Sequence, residues 1–255
     1  MSSGVEPHAL PGGYILHVFD TTSSTMDEAH KLAQQGAPEG TLVLAHMQNK
    51  GRGRLGRVWV SGAGNLHLSL VLRPKLQLKN VASISFLLAL AAGHALLPFL
   101  PREDLLAYKW PNDLIVGDKK IGGCLFETSG NTADTVGISS YIVAGLGINL
   151  KQAPSNQNMP TTALIDYGSS VSLQSFLALF CTELTEMLPL IESEGLKTLR
   201  HMWLARAWRL GESLTVRDAK GVLHEGMFED ILNDGSLLLR MKFGKLQKIT
   251  TGEVM

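Results

Sequence analysis

The chain has 255 residues, 45% of them hydrophobic, with 23 basic and 23 acidic side chains and a formal charge of zero. That length and apolar share support a sizeable buried core, in one large domain or a large and a small one, and the charge balance excludes a protein that coats nucleic acid by bulk positive charge. Two cysteines, Cys124 and Cys181, give neither a disulfide framework nor a metal-ligand spacing, and residues 1–13 lack the basic-then-apolar layout of a signal peptide, so a reducing cytoplasm is the expected setting.

Residues 14–20 (YILHVFD) read as a strand. Thr25 opens a T-x-x-E capping box with Glu28, and Met26, Ala29, Leu32 and Ala33 recur at helical spacing until the glycines at 36 and 40 end the helix. Residues 41–47 form a buried strand, and residues 49–61 (NKGRGRLGRVWVS) a loop. That run holds three glycines, four basic residues, Trp59 and no acid, inside a longer stretch between Glu39 and Glu103 that has no Asp or Glu at all. The same stretch carries Lys50, Arg52, Arg54, Arg57, Arg73, Lys75, Lys79 and Arg102. Like charges on a glycine-loosened backbone repel, so the run should settle around something anionic; the plainer reading is basic side chains over a solvated surface.

Residues 65–73 alternate, with Leu66, Leu68, Leu70 and Leu72 on one face of a strand. The uncharged segment 80–101 is long enough to raise the question of a membrane span, but Ser83, Ser85, Gly93, His94 and Pro98 interrupt it and no second such segment follows. It reads as a buried core helix with Asn80 as N-cap, and no membrane is expected as a partner. Residues 105–127 read as a strand, a Pro-Asn-Asp corner and a hairpin turning at Gly117-Asp118; residues 141–149 are another strand and 152–162 a polar loop. Residues 172–194 and 196–208 are amphipathic helices, the first kinked at Pro189. From Gly211 the pattern changes to strands at 212–218, 222–231, 236–241 and 246–254, with turn signals at 218–221 and 233–235, which suggests a small barrel. The expected organisation is an N-terminal extension (1–13), a main domain (14–210) and a small β domain (211–255).

Three short runs carry chemistry. G-R-G-R-L-G-R is neither a Walker A loop, since no Gly-Lys-Ser/Thr follows, nor a Rossmann fingerprint. It does offer backbone N–H groups and the forked guanidiniums of Arg52, Arg54 and Arg57, which match phosphate or carboxylate oxygens, and Trp59 adds a flat face for a ring. Lys109-Trp110-Pro111-Asn112-Asp113 packs a cation, a ring, an amide and a carboxylate around a corner; blandly, it is a turn. Lys120-Ile121-Gly122-Gly123 sets a lysine beside two glycines, where a backbone can approach a ligand closely; blandly, it is a hairpin with a glycine bulge.

In order, Ser24-Thr25 opening a helix, Gln48 followed by G-R-G-R-x-G-R-x-W, K-W-P-N-D, K-I-G-G and the strand G-L-G-I-N ending at Asn149 resemble the biotin protein ligases, over residues 14–255. The resemblance implies an α+β fold: a biotin/lipoate ligase-like catalytic domain with a mixed central sheet and flanking helices, plus a C-terminal SH3-like β-barrel. It implies activation of biotin by MgATP to biotinyl-5′-adenylate and pyrophosphate, then transfer of biotin to a lysine of a biotin carboxyl carrier domain, as in acetyl-CoA carboxylase. By matching positions, Ser24, Thr25, Met26, Gln48, Arg52, Gly53, Arg54, Lys120 and Gly123 would bind biotin. Arg54, Arg57, Trp59, Lys120 and Asn149 would hold ATP and the adenylate, and the loop at 152–162 would cover it. Biotin, ATP and Mg²⁺ are the implied small molecules, with no metal site fixed by protein alone, and the chain would act as a monomer or homodimer. Met26 stands where the family often has Asn, and Lys50 where a small residue is expected.

The implied chemistry suits these residues. A free carboxylate, with a pKa of about 4–5 by analogy with side-chain acids, needs no base; adenylation instead demands cations against the phosphate, for which Arg54 and Lys120 are the candidates. An acceptor lysine near pKa 10.4 is neutral in only about 1 in 2,500 molecules at pH 7, so transfer needs a group that favours or accepts the proton, and Asp113 is the candidate. Lipoate ligases and octanoyltransferases share the fold and are the alternative; Cys124 after Gly123 invites an acyl-enzyme, against the reading of a small apolar strand residue. A repressor would need a DNA-reading domain, and the 13 residues before the first expected strand are too few for one, so no DNA is expected.

Overall fold

The computed structural model describes residues 8–74, 81–129, 141–155 and 159–255. Asn80, Lys75, Lys79, residues 1–7 and residues 156–158 of the 152–162 loop lie outside that set.

Among the described residues, strands form two sheets, of eight and five strands. The larger has eight strands: β1 (His8–Ala9), β2 (Ile15–Thr22), β3 (Thr41–Gln48), β4 (Leu66–Leu72), β5 (Leu106–Lys109), β6 (Asp113–Val116), β7 (Lys119–Thr128) and β8 (Ile142–Ile148), in the spatial order β1-β2-β3-β4-β8-β7-β6-β5. β2 and β3 run parallel and every other neighbouring pair antiparallel, so the sheet is mixed, as expected. It also starts earlier than the sequence suggests, because His8–Ala9 pairs with residues 15 and 16.

Each face of this sheet buries a helix for a reason visible in the alternation of β4. Leu66, Leu68, Leu70 and Leu72 join one core with the uncharged helix α2 (Ser83–Leu96), which is buried almost all round, as its lack of charge requires. α3 (Leu173–Glu194) packs on the same side and runs through Pro189 without ending. The opposite face meets α1 (Thr25–Gln34), whose Met26, Ala29 and Ala33 pack on Val43, Val71 and Val143. Among the described residues no helix is long and apolar enough to cross a membrane.

Three expectations need correction. The N-cap of α1 is Ser24, whose Oγ accepts from the Met26 N–H, rather than Thr25; the Thr25 hydroxyl is engaged elsewhere, with Gln48 and Ser69. The expected helix 196–208 stops at α4 (Lys197–Leu204), because residues 206–208 pair with the edge strand β5: Tyr108 N–H donates to Arg206 O and Trp208 N–H to Tyr108 O, both at 2.8 Å. Covering that edge satisfies backbone groups that a longer helix would leave open. Finally, the expected single strand 246–254 is two.

The second sheet holds β9 (Ser213–Asp218), β10 (Leu223–Ile231), β11 (Leu237–Arg240), β12 (Leu246–Ile249) and β13 (Gly252–Val254), all antiparallel, in the order β12-β11-β10-β9-β13. The chain bends at residues 250–251, so that β12 and β13 lie on opposite edges. This sheet is fastened to the first by Trp203 against Phe228, by Arg200 to Asp230 and to the Ile231 carbonyl, and by Trp110 Nε1 donating to Gly235 O at 2.9 Å.

Candidate functional site

A cavity of about 470 Å³ opens on the α1 face of the large sheet, over β4 and β8. Its floor follows from register. Ser69 sits opposite Gly145 and His67 opposite Gly147, and the two glycines leave room for side chains from above. A Cβ at 145 would come 3.1 Å from Met26 Sδ, and one at 147 would come 2.5 Å from the Trp59 ring. Met26 therefore enters the site by packing, which is what a thioether in place of an amide can do.

At one side, the start of α1 ties into the floor. Gln48 Oε1 accepts from the Thr25 N–H (2.8 Å) and hydroxyl (3.2 Å), the Thr25 and Ser69 hydroxyls lie 2.8 Å apart, and Gln48 Nε2 donates to Ser61 Oγ at 3.3 Å. Ser24, Thr25 and Ser69 are all buried, so this is a polar lining enclosed in the core, which needs such mutual bonding to be tolerated.

The glycine-arginine run forms one wall. It is a small antiparallel ladder, with Trp59 N–H donating to Gly51 O and Gly53 N–H to Arg57 O, closed by a turn in which Leu55 takes φ = 56°. The anions it meets are carboxylates from other parts of the chain. Arg52 bridges Asp27 and Glu127, and Arg57 makes a two-armed pair with Glu253 of β13, which holds the Glu253 carboxyl below the usual range. Arg54, half-buried, donates to Asn112 Oδ1 (3.3 Å) and Gly252 O (3.2 Å), and burial draws its guanidinium down from the ordinary value. Lys50 is exposed, and its backbone N–H donates to Ser23 O.

The facing wall is the hairpin built from β5, β6 and β7. Lys109 pairs with Asp113 in register, and the Trp110–Pro111 bond between them is cis. Lys120 Nζ lies 2.6 Å from Asp113 Oδ1 and 6.0 Å from the centre of the Trp59 ring, so it reaches between the walls. Gly123 allows this: a Cβ there would come 3.2 Å from Asp113 Oδ1 and 3.4 Å from Lys120 Nζ. Lys109 is 7% exposed, 5.1 Å from the centre of the Trp208 ring, and burial draws its ammonium below the ordinary value while Asp113 acts the other way.

Beyond the hairpin, Asn149 directly follows β8. Its Nδ2 donates to Thr162 O at 3.1 Å, and Asn65 Oδ1 accepts from three successive N–H groups, of Leu150, Lys151 and Gln152. The loop that follows returns to the hairpin, with Lys120 N–H donating to Pro160 O and Thr162 N–H to Lys120 O.

Ser24, Thr25, Met26, Gln48, Arg52, Gly53, Arg54, Arg57, Trp59, Asp113, Lys120, Gly123 and Asn149 all line this one cavity. Residues that sequence reasoning did not assign a role line it too: Lys109, Asn112, His67, Ser69 and Glu253. Lys109 and Asn112 stand within K-W-P-N-D itself, and His67 is conspicuous as a histidine inside a leucine alternation. Glu253 carries no local signal, because only the folding of β13 against the loop brings it there. Cys124 is 2% exposed, and burial pushes its thiol well above the ordinary range, so it is a packing residue rather than a nucleophile.

The sequence model of the biotin/lipoate A/B protein ligase family matches residues 18–149. A biotin–[acetyl-CoA-carboxylase] ligase of Paracoccus denitrificans is 38% identical over 91% of this chain and 97% of its own length. The bifunctional ligase/repressor of Bacillus subtilis is 31% identical over 95% of this chain and 74% of its own length. Among solved structures, the biotin protein ligase from Aquifex aeolicus in complex with biotin and ATP matches with a TM-score of 0.79 at 25% identity, covering 94% of this chain and 97% of that one. The chain thus belongs to the biotin/lipoate A/B protein ligase family.

Proposed function

We propose that this chain is a biotin protein ligase, which joins biotin to ATP as biotinyl-5′-adenylate with release of pyrophosphate and then passes biotin to a lysine of a biotin carboxyl carrier domain. The observation that carries the reading is the joining, in one cavity, of a hydrogen-bonded polar lining (Ser24, Thr25, Gln48, Ser69) to a cluster of cations (Arg54, Lys109, Lys120) around Asp113. The first suits a small polar ring and the second a carboxylate brought onto a polyphosphate. The names of the relatives support the same substrate and acceptor.

In the first half-reaction the biotin carboxylate attacks the α-phosphorus of MgATP and the bond to pyrophosphate breaks. Arg54 and Lys120 balance the charge that develops on the phosphate oxygens, a role that requires them to be in place beforehand. Magnesium arrives with the nucleotide. In the second, the acceptor amine attacks the acyl carbon, AMP leaves, and Asp113 takes or orients the amine proton. Arg52 and Gly53 close over biotin, while Arg57, Trp59 and Asn149 hold the adenylate, with Asn149 at the adenine.

The finer organisation belongs to the same proposal. The second sheet closes into an SH3-like barrel, supported by β12 and β13 occupying opposite edges although only two residues separate them. The catalytic domain then runs over 14–210 and the barrel over 211–255. The setting is the cytoplasm, with no DNA or membrane partner, and the chain works as a monomer or homodimer.

Exchange of labelled pyrophosphate into ATP, run with biotin, lipoate and octanoate in parallel, tests the reading. Exchange with biotin alone is expected. Exchange with lipoate or octanoate in place of biotin would keep the fold and overturn the substrate.

A further inference from the structure

Lys120 reaches between the two walls from a point where its sheet is interrupted. β8 pairs with β7 only from Gly122 onward, so it ends, at Ile148, before it comes level with Lys120. On the other flank the β6–β7 ladder shifts register: Leu114 pairs with Gly122 and Ile115 with Lys120, which leaves Ile121 over. Such a bulge re-aims the side chains beside it and locally disrupts the ladder. The gap is filled from farther along the chain. Lys120 N–H donates to Pro160 O at 2.8 Å, the Thr162 N–H donates to Lys120 O at 3.0 Å, and Thr161 faces Lys120 as a one-residue parallel bridge. Residues 160–162 thus stand where β8 would be, and both backbone polar groups of Lys120 bond to them.

These residues are held by a side chain that lies outside the cavity. Asp166 Oδ2 accepts from the Ala163 N–H and from the Thr162 hydroxyl, each at 2.9 Å. The Ala163 N–H, and after it the Thr162 hydroxyl, hold the Asp166 carboxyl below its usual range; Lys119 adds to the effect and desolvation opposes it. Thr162 is buried, and neither it nor Asp166 lines the cavity. The bond to Ala163 serves the short turn at Leu164–Tyr167. The bond to Thr162 goes beyond what that turn requires, since it fixes the residue whose N–H seats Lys120. We propose, resting on the ligase reading above, that Asp166 is a positioning residue for Lys120: by holding Thr162 it fixes residues 160–162 against the bulged strand and so sets the Lys120 ammonium for adenylation. A donor that must be in place before charge develops loses much of its effect when its seat loosens.

The test measures single-turnover adenylation at saturating biotin and ATP for the unaltered protein, Asp166→Ala, Asp166→Asn, Lys120→Ala and the double variant with Ala at both positions. Asp166→Ala should slow the step about five- to tenfold, the size of one hydrogen bond. Both bonds go to one oxygen, so the amide oxygen of Asn can take them over, and Asp166→Asn should recover most of the rate although the charge is gone. With Lys120 already changed to Ala, Asp166→Ala should have little further effect, because nothing remains to be positioned. An equal fall with and without the Lys120 side chain would overturn the proposal, and so would an Asp166→Ala protein as fast as the unaltered one. Weaker ATP binding with an unchanged rate at saturation would overturn it too, by tracing the effect to Asn149, whose Nδ2 donates to Thr162 O. Should Asp166→Ala fail to fold, Thr162→Val removes only the hydroxyl donor and Thr162→Ser keeps it. A slower step in Val but not in Ser is then expected, and equal rates in the two would overturn the inference. No adenylation of biotin by folded, unaltered protein would fell the ligase reading first and this inference with it.

Discussion

The two walls of the cavity hold their cations in opposite ways. In the glycine-arginine wall, Arg52 and Arg57 are exposed and each is matched to carboxylates from distant parts of the chain, Asp27 and Glu127 for one and Glu253 for the other. Pairs of this kind contribute ~0–1 kcal/mol and weaken with salt. In the hairpin wall, Lys109 and Lys120 project from paired strands whose ladder shifts register between Leu114 and Ile115, beside Lys120, with Lys109 buried and Lys120 fixed against Asp113 over a glycine. Arg52 and Arg57 can exchange these partners for a phosphate or carboxylate at little cost, whereas Arg54 of the same wall is half-buried and held by Asn112 and the Gly252 carbonyl. The second is in place before any ligand arrives, and electrostatic stabilisation of a transition state requires that.

If that contrast is right, damage to the hairpin wall should be chemical and large. Lys120→Ala is expected to lower the single-turnover rate of adenylation by ~10²–10³, the usual loss for one preorganised donor. Rapid-quench measurement of adenylate formation reads this directly, and an unchanged rate would remove Lys120 from the reaction. Asp113→Asn comes next. Asp113 pairs with Lys120, so both half-reactions should slow, but a role toward the acceptor amine requires transfer to fall by ~10² or more, well beyond the fall in adenylation. An equal fall in both would reduce Asp113 to a positioning residue for Lys120.

A third change sits where the walls meet the floor. Ala at position 147 would set a methyl group 2.5 Å from the Trp59 ring, so the indole must leave its seat. Overpacking of this kind costs ~1–3 kcal/mol, and on the proposed reading, in which Trp59 holds the adenylate, the cost falls on the bound state. Retention of the adenylate on gel filtration should drop about tenfold or more, while thermal unfolding reports whether the fold itself has suffered.

How much of this was legible in the sequence depends on how far apart the cooperating residues lie. Leu66 to Leu72 announced a strand with one apolar face, and residues 109–113 and 120–123 announced a corner and a glycine-lined approach, because each signal is contained in a few neighbouring residues. The run at 49–61 announced its need for anions but not their source: Asp27, Glu127 and Glu253 lie on α1, β7 and β13, and only the folded sheets bring them to it. The choice between Ser24 and Thr25 as cap was hidden for a related reason, since it turns on Ser69, 44 positions away. Local propensity also misjudged residues 205–208 and 250–251, where pairing to β5 and to β9 overrides what the segments would do alone.

The arginine wall should break gently. Glu253→Gln removes the charge that holds Arg57 and one of the two acceptor oxygens of the two-armed pair, and the expected cost to stability is ~0–1 kcal/mol at low salt, shrinking further as salt is added. Its pH dependence has a definite sign. Arg57 holds the Glu253 carboxyl below its usual 4.5, so the unfolded chain binds the proton more readily than the folded one. The pair's contribution is therefore full above about pH 4.5 and is lost as the pH falls through the lower, folded value. Urea unfolding at pH 7 and at pH 3.5, for the unaltered protein and Glu253→Gln, should show a difference that narrows on acidification. The adenylation rate of the variant should change only ~2–3-fold, the size of one exposed ion pair. A loss as large as that of Lys120→Ala would mean that Arg57, too, must be set before the ligand binds.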